Sequence, residues 1–61
     1  MSKIFRNGNT YAIVEHARYL GYICIDGKEE HITKRYNVEN TLRCLETLEK
    51  LTGKGGWKWI A

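Results

Sequence analysis

LGYICIDGKEEHITKRY, residues 20–36, decides the fold of this chain, because it sets Asp26-Gly27 between an apolar strand-like run and a basic one. Asp-Gly favours the two-residue type I′ turn, whose central residues need positive φ, so the stretch predicts a hairpin with strands over 20–25 and 28–36. Residues flanking such a turn face each other and pairing steps outward from them, which assigns the two faces. Ile23, Ile25, Ile32 and Lys34 share one side. Leu20, Tyr22, Cys24, His31, Thr33 and Arg35 share the other.

Upstream, Asn7-Gly8 marks a second turn of the same kind and predicts strands over 3–6 and 10–17, with a short loop at Arg18-Tyr19 joining the hairpins. Downstream the period changes. Val38, Leu42, Leu45, Leu48 and Leu51 fall on one half of a helix, with Glu39, Asn40, Arg43, Glu46, Thr47 and Lys50 on the other. The predicted helix spans about 38–52. Asn37 is its N-cap, Glu39 suits the positive end of its dipole, and Gly53 is its C′ residue. Glu39/Arg43 and Glu46/Lys50 are supporting i,i+4 pairs. The expected fold is therefore α+β: residues 1–61 form one small two-layer domain, an antiparallel sheet of three to five strands packed on one amphipathic helix. A short C-terminal strand is counted if the tail pairs.

The helix is expected to cover the Ile23 side of the sheet, joined there by Ile4, Tyr11 and Ile13. That leaves Phe5, Ala12, Val14 and His16 beside Leu20, Tyr22 and Cys24, a face too apolar for water, which calls for the tail or a second copy of the chain as its cover. The tail, residues 52–61, reads TGKGGWKWIA and holds both tryptophans. In a strand Trp57 and Trp59 point the same way, with Lys58 and Ile60 opposite. Small cores need large apolar residues, so the tail is expected to close the core, with Trp59 foremost because Ile60 leaves the last strand apolar on both sides. The competing reading is a stacking platform on a flexible Lys54-Gly55-Gly56 lead-in.

A chain of 61 residues buries only about 60% of the surface its unfolded form exposes. Such a core seldom encloses a catalytic pocket, so a non-enzymatic binding module is expected. The formal charge is +3, with a basic excess in residues 1–37 and in 53–61 and an acidic one in 38–52. That permits a nucleic-acid or acidic protein partner without compelling either. Two cysteines make no disulfide framework, and no signal peptide or membrane-spanning apolar run is present, so the expected compartment is cytoplasmic, away from membranes. His16, Cys24, His31 and Cys44 lack zinc-site spacing, and Cys24 and Cys44 fall on opposite sides of the sheet, which excludes a bridge between them. Neither a metal nor another cofactor is expected. A Cys24–His31 pair lacks the orienting group and oxyanion site of nucleophilic catalysis.

What remains is a surface. Tyr22 and His31 are predicted to oppose each other, with Thr33 and Arg35 on the same face, Arg18, Lys28 and Lys34 near its edges, and Lys54 and Lys58 in the tail. A sheet of this kind can read DNA base edges with arginine and polar side chains while lysines hold phosphate. The alternative is a protein-binding inhibitor or adaptor of the sort phages and mobile elements encode, acting on a host protein such as a nuclease or defence complex, since tyrosine and arginine are common interface anchors.

The order within residues 21–53, GYICIDGKEEHITKRYNVENTLRCLETLEKLTG, is a GY-x-C strand, a GKE turn, a basic strand and an amphipathic helix. It resembles the N-terminal arm-site-binding domain of lambda-type tyrosine integrases. The resemblance implies a sheet in the DNA major groove, with Tyr22, His31, Thr33 and Arg35 as readers and Lys28 and Lys34 on the backbone. The extra N-terminal hairpin strand, Glu29-Glu30 and the Trp-Lys-Trp ending depart from that pattern. The hairpin-hairpin-helix-strand order is also similar to HicB-type antitoxin domains and to small phage inhibitors of host enzymes.

Overall fold

Tight turns build most of the sheet. A computed structural model describes residues 2–61, Ala17 by its backbone alone. Strands β1 (Ser2–Asn7), β2 (Thr10–Ala17) and β3 (Leu20–Ile25) are followed by the two-residue β4 (Tyr36–Asn37), the helix α1 (Thr41–Thr52) and a short β5 (Lys58–Trp59). They form one five-stranded antiparallel sheet in the order β4-β3-β2-β1-β5. The expected α+β class holds, at the upper end of the strand count.

Asp26 and Gly27 both take positive φ, as a type I′ turn requires. In the first hairpin Asn7 pairs with Thr10, so Gly8-Asn9 is the turn, one residue later than the Asn-Gly dipeptide suggests. Arg18-Tyr19 is also a two-residue turn: Ala17 pairs with Leu20, and pairing outward from it sets Val14 against Ile23 and Ala12 against Ile25. This register corrects the expected faces. Directly opposed residues share a side, so Phe5, Ala12 and Val14 join Ile23 under the helix, while Ile4, Tyr11 and Ile13 lie outside.

Arg18 makes its turn at φ 62°. The left-handed region costs a side-chain-bearing residue roughly 1 kcal/mol or more relative to glycine. Arg18→Gly is therefore expected to stabilise the fold by about 1 kcal/mol, read as a higher melting temperature.

The predicted strand 28–36 does not form. One bridge joins Ile25 to Lys28, residues 30–33 turn away, and the chain returns at β4, where Gly21 pairs with Tyr36 and Leu20 with Asn37. An unbroken ladder would have set Leu20 against residue 33, so four residues are looped out. The cause lies in the composition. Between Lys28 and Arg35 only Ile32 is apolar, and an unbroken strand would have turned Lys34 toward the helix, burying a charge without a partner. Ile32 is correspondingly exposed rather than in the core.

The loop also delays the helix. Asn37, expected as N-cap, belongs to β4, and its Oδ1 accepts from the Glu39 amide at 3.3 Å. Asn40 caps instead, its side chain accepting from the Arg43 amide at 3.0 Å. Val38 is buried but outside the helix, its amide donating to Tyr19 O at 2.8 Å. The buried stripe of α1 is Cys44 and Leu48 with Leu45 and Leu51 beside them, whereas Leu42 is 66% exposed. Gly53 closes the helix at φ 69°, its amide donating to Glu49 O, as expected for the C′ position.

The core consists of Phe5, Ala12, Val14, Ile23, Val38, Cys44, Leu48 and Trp57. Burying each of the larger aliphatic and phenyl side chains contributes about 1.5–3 kcal/mol. The tail does close this core, through Trp57 and not Trp59. Trp57 is 7% exposed and its Nε1 donates to Thr52 Oγ1 at 3.1 Å. Trp59, opposite Phe5 on the edge strand, remains 55% exposed under the Lys3 ammonium, which stands 5.7 Å from its ring centroid. Asn7 anchors the lead-in, its Nδ2 donating to Gly55 O at 2.9 Å.

Candidate functional site

Among the described residues, the helix and Trp57 cover one side of the sheet and leave the other open. Three cross-strand rows organise this outer face. Lys58, Arg6 and Tyr11 oppose one another across β5, β1 and β2; Ile4, Ile13 and Cys24 do so across β1, β2 and β3; Ser2, Glu15 and Tyr22 form the third. Tyr11 and Ile13 are 43% and 44% exposed, and Tyr22 and Leu20 37% each. The rows give the face an apolar middle with polar and cationic groups at both ends.

Each of its tyrosines carries an arginine. Arg6 sits 5.5 Å from the Tyr11 ring centroid, held there by cross-strand pairing and by Nε donating 2.6 Å to Gly8 O. Arg35 reaches back from the 29–35 loop, with its guanidinium 5.7 Å from the Tyr22 centroid and Nε donating to the phenolic oxygen at 3.1 Å. Such cation–π contacts add about 0.5–1 kcal/mol at exposed sites, enough to bias both guanidinium groups toward the face. Beside the β2–β3 turn the face deepens into an open cleft of ≈ 500 Å³ lined by Glu15, Arg18, Tyr19, Tyr22 and Arg35 over the backbone of Gly21.

Of the residues expected to act together, the fold gathers Arg18, Tyr22 and Arg35 at this cleft. His31 does not oppose Tyr22. It is half-buried inside its loop, with Nδ1 3.3 Å from the Tyr36 hydroxyl, its ring edge-on to Tyr36, and Nε2 3.4 Å from the Glu30 carboxylate. Those contacts brace the loop that delivers Arg35. Lys28, Thr33 and Lys34 are exposed on the same excursion, so the readers implied by the integrase resemblance do not share one strand. Lys58 lies at the far edge of the sheet, and Lys54 in the segment between α1 and β5. Arg6 and Tyr11 were not among the expected site residues, because the expected face assignment turned Tyr11 inward. The parity of the two-residue Arg18-Tyr19 loop is the signal that finds them.

The cysteines occupy different environments. Cys24 is on the outer face and its thiol donates to Lys28 O at 3.3 Å, while Cys44 is in the core. Burial pushes the Cys44 thiol above its ordinary range, with Lys3 partly offsetting the effect, so its nucleophilic thiolate is disfavoured. Among the described residues no group of three or more His, Cys, Asp or Glu is placed to hold a metal, and no helix is long and apolar enough to cross a membrane.

The fold and this face define a small α+β domain with an uncovered, cation-bearing sheet. No protein-family model, curated protein or solved structure matches the chain. What the arrangement offers is binding chemistry: guanidinium and ammonium groups for anions, two partly exposed phenol rings for stacking, and an apolar strip between them.

Proposed function

We propose that the protein is a small non-enzymatic module that binds nucleic acid across its outer sheet face. The observation that carries this reading is the repeated Arg–Tyr stack, Arg6 on Tyr11 and Arg35 on Tyr22, which pairs a phosphate-binding cation with an aromatic surface at each end of the face. Lys58 and Arg18 add a cation beyond each stack. The two-residue β5 flanks the Phe5–Arg6 end of the sheet and β4 the Leu20–Gly21 end, so the face is at most four strands across, about 14 Å at ~4.8 Å per strand, against a major groove of about 12 Å. Its exposed phenol rings and spaced cations suit a single strand, whose bases are free to stack and whose phosphates track the cations. Duplex DNA would be met best by the narrower edge bearing Lys28, Lys34 and Arg35.

A protein-binding inhibitor or adaptor is the second reading, favoured by the Ile4–Ile13–Cys24 strip, since an apolar centre with a Tyr and Arg surround is the anatomy of a protein interface. A homodimer through this face is opposed by charge, because it would bring Arg6, Arg35 and Lys58 of two copies together across one surface.

Salt separates the readings. If Arg6, Arg18, Arg35 and Lys58 neutralise four phosphates of a single strand, log K falls with log[salt] at a slope of about −2.8, so a fourfold rise in salt weakens binding about 50-fold. Arg6→Ala should reduce the slope by about 0.7. Fluorescence anisotropy with a labelled oligonucleotide measures both. A flat salt response, or no binding of DNA or RNA at low salt, removes the nucleic-acid reading and leaves the protein partner.

A further inference from the structure

The cleft beside the β2–β3 turn differs in kind from the open sheet face it adjoins. Arg18 holds a left-handed φ of 62° in a turn where glycine would be unstrained. Non-glycine residues kept in that region concentrate at ligand clamps, where the side chain is needed despite the backbone it requires. Here Arg18 lines the same ≈ 500 Å³ cleft as Arg35, a volume within the range of small-ligand sites. Arg35 is held in advance: its bond to the Tyr22 hydroxyl uses Nε, so an incoming anion meets the two terminal nitrogens. Tyr19 and Tyr22 supply ring surface, and the backbone of Gly21 forms part of the lining. Glu15 is the discriminating group. A carboxylate in the cleft disfavours a bare phosphate and favours a ligand that carries a hydrogen-bond donor near its anion.

We propose that this cleft holds one nucleotide unit, with its phosphate between Arg18 and Arg35, its base against a Tyr19 or Tyr22 ring, and a sugar hydroxyl or base amine donating to Glu15. The proposal takes its ligand class from the nucleic-acid reading of the sheet. Its unit is either the phosphorylated end of a strand or a free mononucleotide.

The test is an NMR titration of the isotope-labelled protein with 5′-mononucleotides, the matching nucleosides, inorganic phosphate, and octamers bearing either a terminal phosphate or only hydroxyl ends. A mononucleotide should shift the amides of Leu20, Gly21 and Tyr22 and bind at least tenfold more tightly than its nucleoside or inorganic phosphate. Arg35→Ala and Arg18→Gly should each weaken it at least tenfold, and Lys50→Ala on the helix side should not. Arg18→Gly is the sharper variant, because it should raise the melting temperature while lowering affinity, an opposition that a turn residue without a ligand does not produce. A tenfold gain from the terminal phosphate of an octamer assigns the strand end; mononucleotide binding with no such gain assigns the free nucleotide. Equal affinity for nucleotide and nucleoside, equal affinity for nucleotide and phosphate, or no loss in either arginine variant overturns the cleft site, even if octamers still bind through Arg6 and Lys58. Mononucleotide binding without any octamer binding upholds the cleft and overturns the sheet reading instead.

Discussion

Trp57→Ala is expected to cost about 3–5 kcal/mol and to leave much of the protein unfolded at ordinary temperature. A domain of 61 residues has roughly 3–9 kcal/mol of stability in total. Trp57 is the tail's only member of the core, and it fills the space between the C-terminal end of α1 and the sheet. Its removal would leave a cavity and also take away the indole donor to Thr52 Oγ1. That hydroxyl donates in turn to Leu48 O at 2.7 Å, so the last turn of the helix loses part of its side-chain bracing as well. Trp59→Ala serves as the comparison. Its ring is half in water, held by an Nε1 bond to Ala61 O and by Lys3, and its loss should cost about 1 kcal/mol. Urea titrations of the two variants check the order, and wild-type fluorescence should move to the red on unfolding as Trp57 enters water. A Trp59 variant less stable than the Trp57 variant would contradict the burial described above.

The two tryptophans show what alternation can and cannot reveal. Period two places them on one face, but it does not say which stands over the core and which over the edge. That depends on where the chain leaves α1 and on the pairing of Trp59 with Phe5. β2 poses the same difficulty more sharply. Tyr11 and Ile13 on one side are as apolar as Ala12 and Val14 on the other, so composition alone chooses no inward face. The choice is made at Arg18-Tyr19, where a tight two-residue turn sets the parity of β2 against β3. An arginine at positive φ is not among the residues that announce such a turn. By contrast Asp26-Gly27, the 3.6-residue period of the helix and Gly53 were legible because each is a local preference that the packing leaves undisturbed.

The candidate site was legible to the extent that it rests on β3. Tyr22 and Arg35 were expected on one face and do adjoin, although through a loop that reaches back and not through a strand. His31 fell out because Lys28 to Arg35 offers a single apolar residue, too little to hold a strand against the sheet, and its ring turns to Tyr36 and Glu30 instead. Arg6 and Tyr11 came in when the face of β2 reversed. Helix placement followed the same logic. Asn37 and Asn40 are both good caps, and the loop's length decided in favour of the second.

Gly21→Ala should be the most disruptive change available at the site end of the sheet, at about 3 kcal/mol. Gly21 pairs with His16 on one side and with Tyr36 on the other, so it lies between two strands. A Cβ built there would run into Glu15 O and stand 2.8 Å from His16 Cα. Both are backbone atoms, and neither can rotate aside as a side-chain tip would. The added methyl group must therefore push β2 and β3 apart where Arg18, Glu15 and Tyr22 line the cleft, so the cost should fall on stability and on ligand affinity together. Gly55→Ala is the matched control: a Cβ there meets nothing within 4 Å, and the residue is absent from the positive-φ glycines. Restricting its unfolded chain should stabilise the protein by about 0.4–1 kcal/mol. Thermal melts of the two alanine variants should thus move in opposite directions from wild type, and a Gly21→Ala protein that melts with the wild type would mean that β2 and β3 are not packed as closely as described.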